Sequence, residues 1–225
     1  MNKNWKLISA ALLATALASG AQASTVTLNA IADGNFLQGS AFGGPDGVLA
    51  SEFGTSGTGS IWSSVLKFDL SSLAGLNVSS ATLNLTSVLN HSSSAYSHQV
   101  YSSTDDSWTE ATLTGQNFPA SLTLLSATSI DGTSQTYSWD VLSGVTGSDG
   151  LLGSNSMLTL FITPDLSQAG TDYGPHFNDR TALDGAPSLT LNVSAVPEPE
   201  SWSLFALGLA GIGALARKRK MAGKK

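Results

Sequence analysis

The 225-residue chain contains no cysteine. That excludes a disulfide framework, a thiolate metal site and a cysteine nucleophile. A folded domain without disulfides must be held by its core, with or without a bound metal. Charge is scarce as well. Only 12% of the residues are charged, about half the roughly 25% of ordinary soluble domains. Basic residues are nearly missing from the middle. Between residues 24 and 196 only Lys67 and Arg180 are basic, against fourteen acidic residues, a formal charge of -12. Phosphate contacts need clustered Lys or Arg, so this region does not read as a nucleic-acid binder. An acidic domain suits solubility in salt, cation binding or cationic partners. The same region has no long segment with the 3.6-residue helical period.

What the chain does have begins at its ends. Lys3 and Lys6 precede an apolar run over residues 7–18, and Ala21-Gln22-Ala23 is a small-x-small pattern before Ser24. Positive start, apolar run and small-residue site together make a secretory signal peptide over residues 1–23, cut by signal peptidase after Ala23. The far end begins with a proline-containing break, Ala195-Val196-Pro197-Glu198-Pro199-Glu200. A nearly continuous apolar stretch follows over residues 202–216, then Arg217-Lys218-Arg219-Lys220. Fifteen residues make a helix of roughly 22 Å, against a hydrocarbon core of about 30 Å. The expected transmembrane helix would keep its basic stop-transfer end in the cytoplasm.

Val196-Pro197-Glu198-Pro199, the apolar glycine-containing stretch and the Arg217–Lys220 cluster resemble the PEP-CTERM sorting signal of Gram-negative bacteria. The resemblance implies cleavage near the motif by an exosortase. The precursor would be anchored in the inner membrane, and the product would reach the cell surface or the extracellular matrix. The expected organisation is a signal peptide (1–23), a folded domain (24–194) and a sorting signal (195–225).

Between these addresses, apolar and polar residues alternate with the strand period over 25–30, 64–69, 80–86, 98–101, 121–125, 136–141, 158–162 and 188–193. Turn signals separate the runs: Asp33-Gly34, Pro45-Asp46-Gly47, Asp131-Gly132, Ser148-Asp149-Gly150 and Asp184-Gly185. This pattern predicts an all-β fold, a β-sandwich or a barrel. Its core should hold Val26, Leu28, Leu66, Phe68, Leu83, Leu85, Leu160, Ile162, Leu189, Leu191 and Val193. The series running from Leu66-Lys67-Phe68-Asp69-Leu70 through Ser107-Trp108-Thr109-Glu110 and Tyr137-Ser138-Trp139-Asp140 to Phe177-Asn178-Asp179-Arg180 is similar to the DNRLRE family. Those jelly-roll domains occur on bacterial surface proteins and beside polysaccharide-active enzymes. The likeness implies association with exopolysaccharide or biofilm matrix, or a purely structural surface role.

The residues themselves offer little catalytic chemistry. Neither a Gly-x-Ser-x-Gly elbow nor a His-Glu-x-x-His pair is present. A glycosidase would need two carboxyl groups about 5 to 10 Å apart across a cleft. Asp105, Asp106 and Glu110 are dense enough to be considered. They read more simply as an N-cap and acidic first turn before a short helix. The expectation is a non-catalytic protein, with a polysaccharide hydrolase or lyase as the alternative. Calcium takes six to eight oxygen ligands, and Asp33, Asp46, Glu52 and Asp184 in Asn-rich loops are the candidates for a structural ion. Sugar binding needs an aromatic platform flanked by hydrogen-bonding groups. Trp62 and Tyr173 are the candidate rings, while Trp108 and Trp139 read as core. Arg180 lies where a ligand could reach it, although it and Lys67 read first as partners of nearby carboxylates.

Overall fold

A computed structural model describes residues 22–45, 47–53, 60–90, 95–119, 121–131, 135–146, 156–165, 167, 174–196, 205 and 207–213. The expected signal peptide with Ala21, the motif residues Pro197, Glu198 and Pro199, the basic cluster Arg217–Lys220, Asp46 and Tyr173 lie outside them. Ala23 and Val196 flank the sandwich as irregular backbone.

Residues Ala23–Ser194 form one compact unit. Its strands in chain order are β1 (Ser24–Asn29), β2 (Ala32–Leu37), β3 (Gly43–Gly44), β4 (Val48–Ala50) and β5 (Glu52–Phe53). Next come β6 (Ile61–Asp69), β7 (Leu76–Asn90), β8 (Tyr96–Ser103), β9 (Leu122–Ile130) and β10 (Thr136–Asp140). The last are β11 (Met157–Pro164), β12 (Pro175–Asn178) and β13 (Ser188–Ala195). One helical turn, α1 (Leu142–Val145), follows β10. The first sheet has the order β1-β13-β7-β12-β4, with β10 also paired to β7. The second has the order β3-β2-β6-β11-β8-β9, with β5 also paired to β6. Among the described residues these strands pair antiparallel, and β1 lies along β13, so the domain begins and ends side by side.

The alternation predicted from the sequence is what builds the core. Leu66, Phe68, Val100, Leu158, Leu160 and Ile162 of the second sheet meet Leu83, Leu85, Trp139, Phe177, Leu189, Leu191 and Val193 of the first. Val26 and Leu28 are only half buried, because β1 is an edge strand. The Trp139 indole N–H, 1% exposed with its side chain, donates to the His98 carbonyl at 2.9 Å. Fully burying each large apolar side chain contributes about 1.5–3 kcal/mol, so this interface dominates the stability of the unit.

One turn signal was misleading. Asp33-Gly34 reads as a turn, yet it lies inside β2, with Asp33 opposite Leu66 and Gly34 opposite Val65 of β6. Pairing along the whole of β2 outweighs the local turn preference, and the Asp33 carboxylate finds internal partners instead of water. By contrast Gly185, in the turn before β13, takes φ +68° as its turn signal predicts.

Of the apolar stretch expected to cross the membrane, residue 205 and residues 207–213 are described; they are helical and exposed. Among the described residues no helix is long and apolar enough to cross a membrane.

Candidate functional site

The segment between β8 and β9 decides what the second sheet presents to solvent. Sequence reasoning placed a capped helical turn there. Residues 105–109 are instead irregular. Asp105 does not cap a helix. Its Oδ1 accepts the backbone N–H and the hydroxyl of Ser107, at 3.0 and 2.6 Å, closing an Asx turn. Those bonds hold the Asp105 carboxyl below its ordinary value.

The segment lies on the outer face of the second sheet and carries a second apolar cluster. Phe36, Val65, Trp108, Leu113 and Phe161 are buried together, with Tyr101, Phe118 and Leu122 packed against them. The Phe118 ring stacks on Phe36 at 4.8 Å and on Phe161 at 5.7 Å. Trp108 is therefore core as expected, but core of this smaller cluster. Its indole N–H donates to Thr159 Oγ1 at 3.1 Å, and the Thr159 hydroxyl donates to Asp106 Oδ1 at 2.6 Å. The charge of Lys67 favours the ionised Asp105, as its sequence context suggests, although among the described residues it forms no direct ion pair. Its ammonium donates to the carbonyls of Asp106 and Trp108, at 2.8 and 2.7 Å, and stands 4.6 Å over the Trp108 ring. The lone cation of the sheet thus staples the loop down.

The same loop holds Arg180. Glu110 accepts the guanidinium through two parallel bonds, Arg180 Nε to Oε1 at 2.6 Å and Nη2 to Oε2 at 3.0 Å. The Nε–Nη2 edge is used, so the Nη1 edge is turned away from Glu110. Glu110 Oε1 also accepts the backbone N–H of Asp33 at 3.0 Å, and Asp33 Oδ2 accepts the backbone N–H of Arg180 at 2.6 Å. Three segments far apart in sequence are closed into one ring of bonds. The Arg180 guanidinium holds the Glu110 carboxyl below its ordinary range. Asp33 goes the other way: burial pushes it from 3.8 up to about 6. A group poised to give up a proton in general acid catalysis needs a raised pKa and access to the ligand. Glu110 has access and a depressed pKa, whereas Asp33 has a raised pKa and is 2% exposed.

The other expected site residues are elsewhere. Glu52 stands opposite Trp62 in the β5–β6 pairing, and its Oε2 is 3.4 Å from His176 Nε2. Trp62 is half buried on the core-facing side of β6, in alternation with Ser64 and Leu66. His98 is fully buried nearby, with Nε2 3.0 Å from the Ser51 carbonyl, and burial pulls its pKa down to about 4. Asp184 lies by a hollow of about 310 Å³ with Thr86, Thr136 and Asn178. Its carbonyl accepts from Asn178 Nδ2 at 2.9 Å. Asp33 and Arg180 are thus brought together, and Glu52 and Asp184 have other neighbours. Among the described residues no group of three or more His, Asp or Glu is placed to hold a metal ion.

One exposed ring escaped the sequence reading. Phe42, between β2 and β3, is 70% exposed, the most of any aromatic among the described residues. Its only sequence signal is a large ring amid small residues, Gly39-Ser40-Ala41-Phe42-Gly43-Gly44.

The family model described as carbohydrate-binding module family 96 matches residues 24–182. The PEP-CTERM protein-sorting motif matches residues 195–220. No curated protein matches the chain.

Proposed function

We propose that this chain, which belongs to carbohydrate-binding module family 96, is a non-catalytic glycan-binding protein of the bacterial surface. Its PEP-CTERM motif makes it an exported precursor processed for that surface. In this reading signal peptidase removes residues 1–23. An exosortase then acts near Val196-Pro197-Glu198-Pro199, while the apolar stretch and Arg217–Lys220 hold the precursor at the inner membrane. The released domain associates with exopolysaccharide of the surrounding matrix.

One observation carries the non-catalytic reading. The acids considered for a hydrolase, Asp105, Asp106 and Glu110, are engaged in holding the β8–β9 loop. Asp105 closes a turn, Glu110 is forked to Arg180, and Asp33 is buried behind them. A carboxylate with a depressed pKa and both oxygens occupied is a poor proton donor. What these bonds leave is a fixed surface with a guanidinium edge at its rim, suited to hydrogen-bonding hydroxyl groups. Arg180 is the ligand contact we favour among the residues first singled out; Trp62 stands at a separate edge, beside Glu52.

The test is retention of the full chain, held in detergent, on a polysaccharide panel with and without calcium. Saturable retention with no release of reducing ends is the expected result. A folded sample that binds nothing would leave a purely structural matrix role. Reducing-end release abolished by Glu110→Gln would make the protein an enzyme.

A further inference from the structure

We infer that Phe42 is the ring on which a bound glycan stacks, and that the ligand it selects is an uncharged pyranose unit. The inference rests on the glycan-binding reading above and adds to it a place and a substrate class.

Phe42 stands apart from the other aromatic residues of the sandwich. Phe36, Phe68, Phe161 and Phe177 are buried, and Phe118 is half buried. Single exposed apolar residues are common on protein surfaces and need no function. What separates Phe42 from those is its mounting. The Phe42 carbonyl accepts the backbone N–H of Gly115 at 3.2 Å, and the Gly39 N–H donates to the Gly115 carbonyl at 3.0 Å. The Phe42 N–H donates to Ser40 Oγ at 3.1 Å. The hairpin and the loop touch backbone to backbone, with no side chain between them. A Cβ on Gly115 would overlap the Leu37 carbonyl, and one on Gly43 would overlap the Leu113 carbonyl and Thr114 Cα. The backbone that carries the ring is therefore fixed against the loop, and the ring stands 70% exposed.

A phenyl ring held in water on a rigid base suits the apolar C–H face of a pyranose. Preorganisation removes the ordering cost that a mobile ring would pay on binding. The surroundings supply the hydrogen-bonding rim. Gln116 is exposed next to Gly115 and Ser40 is half buried in the hairpin, whereas the Asn117 amide, the Thr114 hydroxyl and the Gln38 amide N–H are engaged within the domain. Residues 36–44 and 111–119 contain no charged side chain. The domain around them carries a formal charge of -12 between residues 24 and 196, which repels polyanions. Both facts favour an uncharged sugar. The loop that mounts Phe42 through Gly115 also holds Arg180 through Glu110, so ring and guanidinium edge are presented by one element.

The experiment compares the full chain with Phe42→Ala and Phe42→Trp by affinity electrophoresis in gels containing a neutral β-glucan, a neutral galactomannan or a polyuronate. Native chain retained on a neutral gel, roughly tenfold weaker retention for Phe42→Ala at an unchanged melting temperature, and retention kept by Phe42→Trp is the expected pattern. The Phe42→Trp chain also gives a direct readout. Its added indole should change emission as the neutral polysaccharide is titrated in, beyond any change of the native chain. Equal retention of native and Phe42→Ala chains overturns the inference and spares the glycan-binding reading. Retention on the polyuronate alone overturns the choice of an uncharged ligand. A native chain retained on none of the gels overturns both readings.

Discussion

The two sheets treat their outer faces differently. The outer face of the first sheet is a polar ladder. Thr25 Oγ1 donates to Asn192 Oδ1, and Asn192 Nδ2 to Ser80 Oγ. Asn84 Nδ2 donates to Thr190 Oγ1, and Asn84 Oδ1 accepts the Ser138 hydroxyl. Every rung is short, uncharged and satisfied by its neighbour across the sheet. The outer face of the second sheet is instead half covered, by the loop that buries Trp108, Leu113 and Phe118. A sheet with one wet face needs nothing more than alternation. A sheet with a covered face must have a cover, and the cover brings with it features the strands lack: the Phe42 mount, the Arg180 fork and the Lys67 staple. The difference teaches that the covered side is where a loop fixes side chains that neither sheet alone would hold in place.

The largest effect should come from opposing the two apolar clusters. Trp139→Ala opens the core between the sheets, and Trp108→Ala opens the one under the loop. Truncating a buried tryptophan costs about 3–5 kcal/mol. For Trp139 that cost should be global, lowering the denaturant midpoint of every probe together. For Trp108 hydrogen exchange should rise in residues 104–119 while β6, β7, β11 and β13 stay protected. A Trp108→Ala chain that exchanges uniformly would mean that cover and sandwich are one cooperative unit.

Next is a pH effect built from two buried groups of the second sheet. Asp33 is raised to about 6, so the folded chain binds its proton more tightly than the unfolded chain. That contribution to stability is present at low pH and is lost as pH rises from about 4 to about 6. His98 is lowered to about 4 from 6.5. Its contribution is present above 6.5 and is lost as pH falls toward 4. The two oppose each other in one window, each with an upper bound of about 3 kcal/mol at 1.36 kcal/mol per pH unit. The native chain should therefore melt nearly independently of pH there. Asp33→Asn keeps an oxygen for the Arg180 N–H and removes the buried charge. It should raise stability at pH 7 and leave stability falling as pH drops from 6.5 to 4. Thermal melts of both chains across that range check the sign; parallel profiles would remove Asp33 from the account.

Gly115→Ala ranks third. Its Cβ would overlap the Leu37 carbonyl, and forced overpacking costs typically 1–3 kcal/mol. Hairpin and loop should part, so glycan retention should drop with Phe42 still present. Loss of retention as large as in Phe42→Ala would tie binding to the mount. Full retention would show that the ring needs no fixed base.

Much of the sandwich was legible because its strands follow the period of two. Leu83-Asn84-Leu85 and Leu189-Thr190-Leu191 say which face is wet without any knowledge of their partners. β2 was not legible, since Asp33, Gly34 and Asn35 are turn residues locally and become strand only through β6 and the distant Arg180. The loop before β9 was misread for a related reason. Asp105 has the chemistry of a helix cap, and an Asx turn uses the same oxygen. Arg180 and Glu110 were each noticed, but their fork joins residues seventy positions apart, which no local pattern encodes. Phe42 gave almost no signal, because its meaning lies in Gly43 and Gly115 being too close to their neighbours for a side chain.

The smallest predicted effect falls on the open face. Asn84→Ala removes the rung that links Thr190 to Ser138. Both freed hydroxyls can turn to water, so the cost should be near 1 kcal/mol or less. Glycan retention should not change, since the ladder's groups already satisfy one another and present no ring. That makes the substitution a sharp probe of where binding occurs. If Asn84→Ala abolishes retention while Phe42→Ala does not, the ligand lies along the wet ladder of the first sheet. The covered face would then be a device for stability alone.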